Sequence, residues 1–248
     1  MEVVEELEEG PGAVRLALGQ VALLGRVSGD RIRHELNLIF QEAEPERALT
    51  RLDDLGVLRQ LHPHLRADGW LKPKYAALRD RAAEIGALPT RVEYLALWLY
   101  LLSPEDAETV MTRLRVPQNE QEVVRQTLTL RERQKELTQN NLRPSQVYRL
   151  LADASEAACR VFSVATESWL ARQRVAQFER QLRHIQPELS GRDLRAMDIP
   201  PGPIYRMLLE RLRAARMDGE ATNRAEEEAL VKRILADLET APAIDEEP

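Results

Sequence analysis

Three groups of side chains have types or spacings that could support chemistry. His62 and His64 in LHPHL resemble a pair of metal ligands, but no third ligand is near in sequence and a turn explains them, so we expect no metal site. Asp53 and Asp54 are adjacent and point away from each other on a helix, so they cannot replace a metal-binding pair. Cys159, within AACRVF, is expected to be a buried apolar residue rather than a nucleophile. The sequence therefore predicts no enzyme active site and no cofactor.

The composition indicates that helices position any functional side chains. Hydrophobic residues make up 44% of the 248 residues and aromatic residues only 4%. Leu, Ala, Arg and Glu dominate, and these residues favour helices over strands. We predict an all-α fold, an elongated array of short and long helices joined by loops that contain Pro or Gly.

The sequence carries no sign of a membrane partner. No run of about 18 apolar residues occurs, and the first residues are acidic instead of the basic and then apolar regions of a signal peptide. The single cysteine excludes an internal disulfide and fits a reducing compartment. We therefore expect a cytoplasmic protein.

Charge is unevenly distributed along the chain. The formal net charge is -6, but residues 1–9 and 237–248 each carry five acidic residues and no basic one. Residues 160–216 contain eleven Arg against six acidic residues, which predicts an Arg-rich face suited to nucleic acid. The alternative is ordinary solvated helix surface.

Caps and prolines predict where helices begin and end. Gly56 should end a helix, and the segment from about Gln146 to Arg183, nearly free of Gly and Pro, predicts one or two long helices. Helix starts are predicted at Ser28 or Asp30, at Glu44-Pro45, at a capping box of Thr90 and Glu93, at Ser103-Pro104, and at Pro117 and Pro144.

Residues 27–65 form the first of two signatures. The matching positions are Arg31, Ile32, Glu35, Leu36, Ala48, Leu49, Leu52, Leu55, Gly56, Leu58, Pro63 and Leu65. This pattern resembles the neck region of class II tRNA nucleotidyltransferases, in which the first helix supports a catalytic head and shapes the nucleotide pocket. Most of these residues are expected to be core. The spacing of Arg31 and Glu35 favours a local ion pair.

Residues 190–230 form the second signature. It is carried by Gly191, Asp193, Leu194, Pro201, Gly202, Pro203, Leu209, Asp218, Gly219, Asn223, Arg224 and Glu226. The pattern resembles the C-terminal tail of the same family, which includes CCA-adding enzymes and bacterial poly(A) polymerases. Ser190 and Asp193 predict a capping box, and Pro203 predicts a first helical turn.

The turn at Pro201-Gly202-Pro203 places a helix N-terminus where an RNA phosphate could bind. The amides of Ile204, Tyr205 and Arg206 are expected to point outward, and Gly202 is expected to let another backbone approach closely. Tyr205 either stacks on a sugar or base or is packed, and the turn itself has a purely structural alternative. The candidate RNA contacts are Arg143, Arg172, Arg174, Gly202, Ile204, Tyr205, Arg206, Arg213 and Arg216, with Arg211 extending the basic region.

The resemblance also implies what the sequence lacks. The family's head supplies a Gly-rich turn and carboxylates that hold two magnesium ions, and residues 1–26 contain neither. The family's Glu-Asp-x-x-Arg element, which templates nucleotide choice, has no counterpart either. We therefore expect nucleotidyl transfer only if a head domain is supplied elsewhere.

The leading hypothesis is a helical module that binds the acceptor arm and elbow of tRNA, or another structured RNA, without catalysis. The alternative is a protein-interaction module that binds a separate catalytic head or forms a homodimer, with Trp70, Trp98 and Trp169 as anchors if exposed. Predicted domains are an acidic segment and lead-in helix (1–26), a neck-like domain (27–88), a body-like domain (89–187), a tail-like region (188–236) and a disordered acidic tail (237–248).

Overall fold

The computed structural model describes residues 27–240, so the lead-in helix predicted within residues 1–26 lies outside the described part. Residues 27–240 contain no strand, which confirms the all-α prediction. The helices are α1 (Gly29–Ile39), α2 (Pro45–Asp54), α3 (Val57–Leu61), α4 (Leu71–Ala83), α5 (Arg91–Trp98), α6 (Pro104–Arg113), α7 (Gln118–Glu132), α8 (Gln134–Leu137), α9 (Pro144–Leu151), α10 (Glu156–Ala165), α11 (Trp169–Arg180), α12 (Gly191–Ala196), α13 (Pro203–Asp218) and α14 (Arg224–Thr240).

The predicted helix ends follow from local hydrogen bonds. Ser28, rather than Asp30, caps α1, because its side chain accepts from the Arg31 N–H. Thr90 and Glu93 form the predicted capping box of α5. Gly56, with a φ of 71°, lies between α2 and α3 in the left-handed conformation that glycine adopts without strain. These predictions are confirmed.

The prediction of one or two long helices between Gln146 and Arg183 is wrong. Three helices, α9, α10 and α11, share this segment. Ser155 begins α10 by accepting a hydrogen bond from the Ala158 N–H, and the Ser168 side chain accepts one from the Ala171 N–H at 3.2 Å. Serine side chains that bond to nearby backbone start new helices without any Gly or Pro.

The last helix also differs from expectation. Disorder is predicted from Asp237 onward, but α14 continues to Thr240, with residues 241–248 outside the described part.

No helix among the described residues is long and apolar enough to cross a membrane.

The described residues group into two compact units. The first unit contains residues 27–138 and 153–172, and the second contains residues 139–152 and 173–240. The neck-, body- and tail-like boundaries given by the sequence stay a prediction.

The first unit is held by an aromatic and aliphatic core with buried ion pairs at its margin. Tyr75 is fully buried, and its hydroxyl donates to the Tyr94 carbonyl oxygen at 2.8 Å. The Glu46 carboxylate, 2% exposed, receives two hydrogen bonds from the Arg79 guanidinium, at 2.7 and 2.8 Å. This bidentate geometry compensates the buried charge.

The second unit has its own core. Apolar side chains from α12, α13 and α14 meet in it, and they include Leu194, Leu208, Leu212 and Val231, all buried. Burial of this apolar face fixes which side of α13 is directed to solvent, because side chains three and four residues apart share a helix face.

Candidate nucleic-acid interface

The N-terminus of α13 is electrostatically uncompensated. Gly202 is its N-cap, no side chain caps it, and its first turn contains no acidic residue. Among the described residues, the Ile204 N–H has no hydrogen-bond acceptor, whereas the Tyr205 N–H donates to the Gly202 carbonyl oxygen at 3.0 Å. The expectation that the Tyr205 amide is available is therefore wrong, because a tight first turn uses it. A partial positive charge nevertheless remains at this end of a 16-residue helix.

Two further residues of this turn differ from expectation. A Cβ placed on Gly202 would meet no atom of the described structure within 4 Å, and its φ of 170° is extended backbone. The expectation that another backbone approaches Gly202 closely is therefore wrong for the described residues. The Tyr205 hydroxyl donates to the Ile199 carbonyl oxygen at 2.8 Å, and the half-buried ring packs against the second-unit core beside Gly191. Of the two roles considered for Tyr205, the structure shows the packed one.

Among the candidate residues that form ion pairs, Arg206 has the most exposed side chain. Its side chain is 87% exposed and pairs with Glu210, one turn along α13, at 2.8 Å. An exposed pair of this kind contributes little stability, so a phosphate can replace the carboxylate at small cost. Arg206 lies in the first turn of α13, two residues after Ile204.

Arg213 and Arg216 are engaged within the second unit. The Arg213 guanidinium lies 4.6 Å from the Tyr148 ring centroid, and its Nε donates to the Ile185 carbonyl oxygen at 2.8 Å. Arg216 pairs with Glu188 at 2.9 Å and with the fully buried Glu227 at 3.2 Å. Their established contacts are structural, and RNA binding by them stays a prediction.

The remaining candidate arginines differ in availability. Arg143, with a side chain 66% exposed, pairs with Glu220 at 3.1 Å. Arg172 is exposed and donates to the Thr166 carbonyl oxygen at 2.9 Å. Arg174 is only 7% exposed and donates to the Gln139 carbonyl oxygen at 2.6 Å, and this burial lowers the pKa of its guanidinium. The side chains of Arg143 and Arg172 are therefore accessible to a large ligand, whereas the Arg174 side chain is almost entirely inaccessible.

Acidic residues of the tail signature bond within the second unit. Asp193 caps α12 with Ser190 and pairs with Arg224 at 2.6 Å. The hydrogen bonds from Ser190 and then from Arg224 hold the pKa of Asp193 well below its usual range. Asp218 accepts from the Ser145 N–H at 2.8 Å and from its hydroxyl at 2.6 Å, and so fixes the start of α9. These two signature residues have structural roles.

The neck residues do not form the expected pair. Among the described residues, no ion pair joins Arg31 and Glu35, which lie one turn apart on α1. Asp30 instead binds Arg33 at 3.1 Å and Arg115 at 2.8 Å. The Arg115 partner comes from beyond α6, and a contact so distant in sequence is invisible to helix spacing.

One cluster of side chains is invisible to sequence spacing, because its members are distant in sequence. Asp106 lies in the first turn of α6 and contacts both His62 and His64. No third ligand lies near the two histidines in sequence, but the fold supplies one 42 residues beyond His64. Of the three tryptophans, Trp98 is buried, Trp70 stacks on Tyr100 and Trp169 is 66% exposed.

Comparison with known proteins places this helical array in a family. The model described as tRNA nucleotidyltransferase domain 2 matches residues 87–234, more than half of the chain. The chain belongs to the tRNA nucleotidyltransferase domain 2 family. A second model, described as "Probable RNA and SrmB-binding site of polymerase A", matches residues 18–68. The resemblance drawn from the two signatures is confirmed.

A curated relative is much longer than this chain. The A-adding tRNA nucleotidyltransferase of Geobacter sulfurreducens is 29% identical over 232 residues, which cover 87% of this chain and 26% of that protein. The chain thus spans about a quarter of that curated relative.

Solved structures share the helical fold. A CCA-adding enzyme bound to ATP has a TM-score of 0.67 at 22% identity, covering 88% of this chain and 52% of that one. The Thermotoga maritima CCA-adding enzyme complexed with tRNA has a TM-score of 0.63 at 22% identity, covering 86% and 52%. This chain therefore spans about half the length of each neighbour.

Proposed function

We propose that this chain is the RNA-binding helical module of a tRNA nucleotidyltransferase or poly(A) polymerase-like protein. It binds the acceptor arm and elbow of tRNA, or a similarly structured RNA, through phosphates and shape. The proposal rests on the first turn of α13, which has an uncapped helix end, an Ile204 amide with no acceptor among the described residues and the exposed side chain of Arg206. A helix N-terminus attracts anions, and a guanidinium binds phosphate in a forked geometry.

Family membership supports this proposal independently of the side-chain contacts. One matching model is described as an RNA-binding site, and one neighbour with the same helical fold was solved with tRNA. We assign residues 27–88 to a neck-like part, 89–187 to a body-like part and 188–236 to a tail-like part. Nucleotide addition is assigned to a catalytic head and not to this chain alone, since it needs carboxylate-held metal ions.

The arginine pairs determine how binding should depend on salt. Arg143 and Arg206 each have one carboxylate partner and large exposed side chains, so both can exchange that partner for a phosphate. Phosphate contacts release counterions, and affinity therefore falls steeply as salt rises. Because shape is recognised more than base identity, folded tRNA should bind more tightly than an unstructured RNA of equal length.

The test is a titration of fluorescently labelled tRNA with the purified chain at low and at high salt, with an unstructured RNA as comparison. We expect binding at low salt that weakens steeply at high salt and favours tRNA. Absence of binding at low salt would contradict the RNA module. Adding ATP, CTP and Mg²⁺ to the complex should leave the tRNA length unchanged, and 3′ extension by a clean sample would overturn the lack of catalysis.

One observation favours the alternative of a protein-interaction module. Trp169 is 66% exposed at the start of α11, and large exposed aromatic side chains commonly anchor protein interfaces. The polymerase A model that matches residues 18–68 also names a protein, SrmB, beside RNA. If the chain fails to bind tRNA but forms a stable dimer or binds a nucleotidyltransferase head in size-exclusion chromatography, the alternative is correct.

A further inference from the structure

A cluster of three potential metal ligands lies in the first unit, and none of its residues is among the candidate RNA-binding residues. His62 Nε2 is 3.4 Å from Asp106 Oδ1, and His64 Nδ1 is 2.7 Å from Asp106 Oδ2. One ligand atom from each residue lies within 4.8 Å of the others. Among the described residues, these three side chains form the one group of three or more His, Cys, Asp and Glu residues whose ligand atoms lie this close together.

Local structure holds these three residues in place. His62 directly follows α3, and the Leu65 N–H donates to its carbonyl oxygen at 3.0 Å, which closes the turn that carries both imidazoles. Asp106 is fixed at the start of α6, where its N–H donates to the Ser103 hydroxyl at 3.1 Å. The turn and the helix end therefore present the ligands as a preformed group, which limits the entropy lost on binding.

The donor types match a divalent transition metal. Imidazole nitrogen and carboxylate oxygen are ligands of Zn²⁺, which binds them at about 2.0–2.2 Å. Ligand atoms around such an ion are separated by roughly 3.3 Å in a tetrahedral site, as follows from those bond lengths. The 3.4 Å distance from His62 Nε2 to Asp106 Oδ1 is close to that value. The 2.7 Å contact from His64 Nδ1 to the other oxygen, Oδ2, is a hydrogen bond that must lengthen, so side-chain rotations are needed to place the three ligands around one ion.

The cluster is also accessible. His64 has a side chain 69% exposed, and with Asp106 it lines a cavity of about 220 Å³. Arg66 and Trp70 form other parts of the cavity wall. The His62 side chain is only 10% exposed. An ion held by three protein ligands would keep its remaining coordination positions towards the cavity, as in open metal sites.

We propose that His62, His64 and Asp106 bind one divalent transition-metal ion of the Zn²⁺ class. Binding through His62 Nε2 and His64 Nδ1 requires each imidazole to carry its proton on the other ring nitrogen. The metal then replaces the 2.7 Å hydrogen bond between His64 Nδ1 and Asp106 Oδ2, and the 3.3 Å contact of the His64 N–H with His62 Nδ1 is given up. This contact is long and contributes little. The metal site is independent of RNA binding by α13, and each can fail without the other.

The test is isothermal titration of the full chain, free of any affinity tag, with ZnCl₂, followed by Co²⁺ absorption spectroscopy. We expect one equivalent to bind. His64→Ala and Asp106→Asn should each weaken binding by at least about tenfold, a loss seen even when only an outer partner of a ligand is removed. His34→Ala is the matched control, because His34 is exposed on α1 in the same unit, and it should leave affinity unchanged.

Circular dichroism of each variant verifies folding, which should persist because His64 is exposed and the Ser103 cap uses the backbone of Asp106. Absence of saturable binding would overturn the proposal. So would equal weakening by His34→Ala, or loss of affinity in His64→Ala but not in Asp106→Asn.

Discussion

Replacing Glu227 with alanine should destabilise the second unit strongly. The Glu227 carboxylate is fully buried and accepts hydrogen bonds from the backbone N–H groups of Glu188, at 3.1 Å, and Leu189, at 2.8 Å. Arg216 donates to the same carboxylate at 3.2 Å. Alanine removes the acceptor for all three donors and leaves the buried Leu189 N–H without a partner.

The magnitude follows from these contacts. A buried donor without an acceptor costs about 1–3 kcal/mol, and a hydrogen bond to a charged group contributes about 1.5–3 kcal/mol. Arg216 adds little to the loss, because its side chain is 21% exposed and keeps its 2.9 Å pair with Glu188. We expect the free energy of unfolding to fall by about 3–5 kcal/mol, within the sum of these two contributions.

Urea denaturation followed by far-ultraviolet circular dichroism measures this change. All three tryptophans belong to the first unit, so their fluorescence reports that unit separately. Glu228→Ala is the control, because Glu228 is 39% exposed and pairs, within residues 27–240, only with Arg224 one turn away, and it should change stability by less than about 0.5 kcal/mol. A loss below about 1 kcal/mol for Glu227→Ala would refute the reasoning.

Three further changes test other contacts. Asp218→Ala removes both hydrogen bonds from Ser145, and urea denaturation should show a loss of about 1–3 kcal/mol; an unchanged midpoint would contradict this role. Asp193 has a folded-state pKa below its usual range, so its ionised form stabilises the fold above the unfolded pKa of about 3.9. This contribution is lost as pH falls through the lower folded value, so the stability difference from Asp193→Asn should shrink below about pH 4, whereas a pH-independent difference would argue against it. Gly29→Ala would place a Cβ 2.1 Å from the Arg113 carbonyl oxygen, so the free energy of unfolding should fall by about 1–3 kcal/mol. Denaturation followed by tryptophan fluorescence measures this change, and wild-type stability would show that α1 shifts freely.

Helix starts could be predicted from the sequence because a cap is a local interaction. Ser28, Thr90 and Ser103 each accept a backbone N–H within the next three residues, so their sequence neighbours contain the whole determinant. The breaks at Ser155 and Ser168 obey the same rule, but no Gly or Pro accompanies them. A continuous helical composition therefore concealed two real boundaries.

The partners of charged side chains could not be predicted, since the fold brings them together from distant positions. Asp106 reaches the histidine pair across 42 residues, and Asp218 reaches Ser145 across 73. The arginine-rich segment predicted a basic face, yet Arg213 and Arg216 have internal partners. Sequence charge alone does not distinguish an arginine that stabilises the fold from one that faces solvent.

A phosphate contact at the N-terminus of α13 can be tested with the variant Arg206→Gln. Fluorescence anisotropy gives the tRNA dissociation constant of this variant, of wild type and of Arg115→Gln, between about 50 and 200 mM salt. Arg115 is a matched control, because its side chain is 68% exposed and pairs with Asp30. We predict weaker binding and a salt slope lower by about 1 for Arg206→Gln only. Equal affinities and slopes for all three proteins would contradict a phosphate contact at this helix end.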